Sequence, residues 1–174
     1  LPEQATNHGM RPLALKAAQA LFASTYELAD YLAIHQLAGD KWPTIQPQLL
    51  QKLQESWSVT HKIDIYLHEN MTAKAMQALD RENFVTEHDL LRVIKATKET
   101  HPDWSIRKCK QQAEQIMDAG QSGSYDTAVY RLGIARDIYI QHKRQQEWQT
   151  YQISLLDKHH RKNKLVTMLR NINI

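Results

Sequence analysis

At 174 residues the chain makes one domain or two small ones, and it is long enough to bury a core without disulfide or metal staples. Hydrophobic residues make up 42% and charged residues 24%, which excludes wholesale disorder. The lone Cys109 excludes an internal disulfide and every multi-cysteine zinc or redox motif.

Helical spacing runs through the chain and no stretch alternates cleanly, so the expected fold class is all-α. Helices are expected near 11–22, 25–38, 44–57, 59–69, 71–80, 86–99, 102–119, 124–142 and 145–172. The first two can run on as one, because Leu15, Ala18, Phe22, Tyr26, Ala29 and Ala33 keep period across the boundary. Alternatively, Ser24 and Glu27 form a capping box that starts the second. Gly39 and Asp40 end it, and Pro43 and Pro47 bracket the next start. Leu49, Leu53 and Trp57, four apart, put one apolar face on the third helix.

Further along, Thr86 with Asp89 reads as a cap ahead of Leu90, Leu91 and Ile94. Pro102 suits a first turn, with Asp103 well placed against the macrodipole. Ile106, Cys109, Ala113 and Ile116 form the stripe of that helix, which Gly120 closes. Ser124 caps the next, whose stripe is Ala128, Leu132, Ala135 and Tyr139. The last helix can break near His159.

Helices of this length joined by short turns suggest stacked antiparallel pairs. The expected arrangement is an irregular, tetratricopeptide-like α-solenoid rather than a four-helix bundle, with Ala128, Gly133 and Ala135 letting neighbouring helices approach. Residues 1–174 are expected to form a single helical domain, in which residues 1–23 are a less tightly packed lead-in helix.

Candidate chemistry is sparse. His159 and His160 are adjacent, so on a helix their side chains point about 100° apart and cannot chelate together. His68-Glu69 lacks the second histidine of a zincin helix, and Gly120 and Gly123 lack the Lys-Ser/Thr of a phosphate loop. No nucleophile motif or acid–base pair stands out. The expectation is a protein that is not an enzyme and has no cofactor and no metal site. Trp42, Trp57, Trp104 and Trp148 read more simply as anchors of helix joins than as a base-stacking surface. No apolar run approaches the roughly 18 residues of a membrane span, and LPEQATNHGMRP has neither the basic start nor the apolar core of a signal peptide. A cytoplasmic protein with no membrane contact is expected.

The charge of +3 hides a division, net −3 over residues 1–130 and net +6 over 131–174. Its focus is KHHRKNKL (158–165), in which Lys158, His159, His160, Arg161, Lys162 and Lys164 form a candidate partner-binding patch. Such a patch suits an acidic protein surface or nucleic-acid phosphates. Cations near a helix C-terminus, or on a solvated face, explain it without any ligand.

An ordered series of segments carries a resemblance: WPTIQPQLL (42–50), IDIYLHE (63–69), HPDWSI (101–106), YDTAVYRL (125–132), EWQTY (147–151) and HRKNKL (160–165). The series resembles the C-terminal helical region of bacterial SWIM zinc-finger proteins, over roughly residues 24–170. The family's zinc motif, Cys-x-Cys followed by Cys-x-His, is absent from this chain, so no metal ligands transfer. The resemblance implies a tetratricopeptide-like interaction scaffold beside a separate zinc module, and the start at Leu1 fits a fragment of a longer protein. The expected function is thus non-catalytic protein–protein interaction, with a nucleic-acid-binding accessory domain as the alternative.

Overall fold

The computed structural model describes residues 2–82 and 85–172, with residues 2–9 described by their backbone. Leu1 of the expected lead-in segment lies outside the described residues. Among those described, every regular element is helical and no strand occurs. None of the helices is long and apolar enough to cross a membrane. The chain divides into two compact units, Leu1–Val93 and Ile94–Ile174.

The first unit holds α1 (Pro2–Thr25), α2 (Leu28–Ala38), α3 (Trp42–Lys52), α4 (Val59–His68), α5 (Thr72–Asp80) and most of α6 (Glu87–Thr97). α1 packs on α2, α2 also meets α3 and α4, and α4 packs on α5. Phe22, Tyr31, Ile34, Leu53, Ile63, Ile65, Leu79 and Leu90 are fully buried here. Glu69, just past α4, ties three helices: it accepts from the Tyr31 hydroxyl at 2.9 Å and from the Gln46 amide.

α1 and α2 are two helices, not one. Tyr26 at φ +57° breaks the chain between them, a left-handed conformation that costs a non-glycine residue about 1 kcal/mol. Its ring edge recovers contact against Phe22, 5.8 Å away between centroids. Ser24 does not cap α2: its hydroxyl donates to the Leu21 carbonyl within α1, and the Glu27 amide donates to Thr25 instead. The expected capping box does not form: Glu27 stands at the N-cap of α2 without a side-chain cap bond. The Thr86 cap forms, with the Asp89 amide donating to its hydroxyl at 3.1 Å and the hydroxyl donating on to the buried Asp89 carboxylate.

The third helix stops early. α3 ends at Lys52 and a tighter 3-10 turn spans Leu53–Glu55. That turn advances about 120° per residue rather than 100°, and Ser56 then leaves helical backbone at ψ 131°. Trp57 is thereby thrown off the stripe of Leu49 and Leu53 and stands 91% exposed.

The second unit holds α7 (Pro102–Asp118), α8 (Tyr125–Gln141), α9 (Gln145–Lys158) and α10 (Asn163–Arg170). α7 and α8, joined by a short turn, pack along their length, and α9 and α10 each rest on α8 and on one another. Cys109, Ala113, Ala128, Leu132 and Ala135 are all fully buried. The small side chains of Cys109, Ala113, Ala128 and Ala135 let helix axes approach. Gly133 takes no part in this, since nothing lies within 4 Å of where its Cβ would be. Gly120 closes α7 in the left-handed region at φ +71°. Ser124 precedes α8 but makes no side-chain cap, because a 3-10 turn over Ser122–Ser124 already leads into that helix. The expected last helix breaks after Lys158, giving α9 and α10.

Candidate functional site

The basic segment forms the turn between α9 and α10, and most of it is engaged. Lys158, the last residue of α9, donates to the Asp118 carboxylate at 2.9 Å and lies 3.9 Å from Glu114. Lys162, just ahead of α10, donates to the Met117 carbonyl, and Lys164 donates to the Ser122 carbonyl at 3.1 Å. All three ammonium groups therefore converge on the C-terminal end of α7 and the turn after it. A helix C-terminus carries roughly half a negative charge on carbonyls that lack an intrahelical partner, so this arrangement is a cap delivered from 40 or more residues away.

The histidines follow the same pattern. His159 is only 3% exposed, with Nε2 at 3.6 Å from Asp118 and in no hydrogen bond. Burial, followed by the Lys162 charge, holds its imidazole below the usual pKa. His160 is exposed, with Nδ1 2.7 Å from the Asp157 carbonyl. Arg161 is exposed as well. Of the six sequence-predicted residues, Lys158, Lys162 and Lys164 bond to the end of α7 and the turn after it, whereas His160 and Arg161 are exposed and take no part in that contact.

The four tryptophans separate. Trp148 is fully buried against Tyr139 and Tyr151, Trp104 is buried, and Trp42 stacks on His35 at 4.3 Å. Trp57 alone of the four is fully presented to solvent. Among the described residues no group of three or more His, Cys, Asp or Glu side chains is placed to hold a metal ion.

A second surface lies on α1. Its inner face carries Leu15, Ala18 and Phe22, part of the stripe read from sequence. Its outer face carries Met10, Leu13, Ala14, Ala17 and Leu21, at i, i+3, i+4, i+7 and i+11. Met10 is 63% exposed, Leu13 72% and Leu21 51%. Between Met10 and Thr25 the charged residues are Arg11 and Lys16, with no carboxylate. Arg11 is turned back onto α2, donating to the Leu37 carbonyl at 3.0 Å and to that of Gln36 at 3.4 Å. Sequence reading from position 11 onward followed the inner stripe and missed the outer one; the doubled apolar periodicity of residues 10–21 was the available signal.

Comparison with protein-family models, with curated proteins and with solved structures gives no match.

Proposed function

We propose that this chain is a non-catalytic helical interaction module that binds an amphipathic helical segment with acidic flanks. The observation that carries this is the outer stripe of α1. Apolar side chains at helical spacing normally face a neighbour, and burying Met10, Leu13 and Leu21 against one would contribute about 1–2 kcal/mol each. A helix laid along such a stripe is a common recognition mode, read through anchors at i, i+3, i+4 and i+7. The positive charge of Lys16 beside it, with no carboxylate between Met10 and Thr25, favours a partner with carboxylates at its edges.

Stacked helix pairs in a tetratricopeptide-like solenoid suit this role, and the contacts between consecutive helices within each unit support that arrangement. On this reading a separate zinc module, as in the SWIM proteins that the chain resembles, would lie elsewhere in a longer protein, and the setting would be cytoplasmic. The nucleic-acid alternative draws less support, because Lys158, Lys162 and Lys164 already serve the end of α7.

A displayed library of helical peptides, panned against the full chain, tests the proposal. Selected peptides are expected to be amphipathic with Asp or Glu at their margins. Their binding should be lost in the doubly substituted Leu13→Glu, Leu21→Glu protein, whose exposed sites change stability by no more than about 0.5 kcal/mol. Peptides that bind this variant as well as the parent would overturn the assignment of the stripe.

A further inference from the structure

We infer that the first unit also holds a pocket for a small phosphate dianion, between α4 and α5 and separate from the stripe on α1. Helix spacing builds it. Lys62 and Tyr66 stand four apart on α4, while Lys74, Gln77 and Arg81 recur at i, i+3 and i+7 along α5 and its cap. Residues so spaced share one helix face, and the two faces flank a cavity of about 130 Å³, with Lys74, Gln77 and Arg81 exposed to solvent. A water occupies about 30 Å³ of liquid, so the space accommodates a tetrahedral oxyanion with residual waters.

Charge names the ligand class. Lys62, Lys74 and Arg81 bring three positive charges and Glu82, also in the lining, one negative, leaving the pocket net +2. Several other cations of this chain sit on carboxylates: Lys52 on Glu55, Arg92 on Asp64, Arg144 on Asp103 and Glu147. Among the described residues, Lys62, Lys74 and Arg81 form no ion pair.

Two of these cations act on Tyr66. The Lys74 ammonium lies 5.8 Å from the Tyr66 ring centroid. Burial pushes the Tyr66 hydroxyl up from its ordinary pKa, and the charge of Arg81 works against that push. Three cations around one cavity with a single carboxylate leave an excess of positive charge, and a dianion accepting from guanidinium, ammonium and the Gln77 amide balances it through charge-assisted hydrogen bonds. The phosphate belongs either to the free ion or to the end of a small monoester.

Amide chemical-shift titrations of the full chain decide the matter, with inorganic phosphate in one arm and glycerol 3-phosphate in another, at constant ionic strength near 0.15 M. Saturable shifts centred on residues 62–66 and 74–81 are expected. Arg81→Gln and Lys62→Gln should each weaken binding about tenfold, with the dispersion of the spectrum showing that the fold is kept. Lys41→Gln, on the exposed turn before α3, should leave it unchanged. Saturation by both ligands identifies a monoester end, and by phosphate alone a free-ion site. Shifts that do not saturate, that centre elsewhere, or that persist in Arg81→Gln would overturn the inference. Peptide binding by the outer face of α1 is read by different variants, so either proposal can fail without the other.

Discussion

Cys109 has no solvent exposure, and burial pushes its thiol up to a pKa of about 12, with the Arg131 charge pulling weakly the other way. The thiolate is the reactive species, so at neutral pH almost none is present, and reagent must wait for the chain to open. Labelling of the native protein by a disulfide reagent is expected to be slower than labelling in denaturant by orders of magnitude. Equal rates would show that α7 does not keep its stripe packed.

His159 also takes its behaviour from burial, but in a pH range that cells visit. Its imidazole is held below the usual histidine value of 6.5 by burial and by the Lys162 and Lys158 charges, with Asp118 and Glu114 opposing. The unfolded chain therefore takes up a proton more readily than the folded one. The stability tied to neutral His159 is present above about pH 6.5 and is lost as pH falls below it. His159→Gln should flatten the acid side of the stability profile measured by urea unfolding over a pH series. A variant as acid-sensitive as the parent would place the responsible group elsewhere.

At the scale of elements, helix ends are where distant residues intervene. α2 ends on Gly39 at φ +54° and ψ −128°, a region essentially reserved for glycine. A Cβ there would also lie 3.1 Å from the Arg11 guanidinium that caps the same helix. Gly39→Ala is thus expected to cost about 1–3 kcal/mol, read as a lower urea midpoint. A cost below about 0.5 kcal/mol would mean that the turn relaxes freely. The end of α7 shows the same device in the second unit, with Lys162 reaching the Met117 carbonyl across 45 positions of sequence. In both cases a helix C-terminus takes its cation from a residue distant in sequence.

For the whole molecule, the division of charge matters more than its sum. The basic stretch 131–174 has much of its charge directed inward, onto Asp118, Glu114 and backbone carbonyls. Counterion release therefore has few free cations to draw on. Fluorescence anisotropy with labelled DNA and RNA is expected to show no binding near 0.15 M salt. Micromolar binding that falls steeply with salt, and disappears in Arg161→Glu, would favour the nucleic-acid alternative. Arg161 suits this test because it is exposed.

The sequence by itself determined what depends on near neighbours along the chain. Periodicity located the helices, and Cys109, Ala113, Ala128, Leu132 and Ala135 read as buried stripes because each helix face repeats within four residues. The Thr86 cap and the Gly120 stop were legible for the same reason. Only the tertiary structure decided between two apolar faces of α1, since both satisfy helical spacing and packing on α2 buries just one. It also turned Trp57 outward through a 3-10 turn that no local residue announces. Residues 158–164 were visible as a cluster, whereas their occupation by Met117, Asp118 and Ser122 was not. The cationic pocket lies beyond sequence reading for the same reason: Lys62, Lys74 and Arg81 become one site only when α4 and α5 pack together.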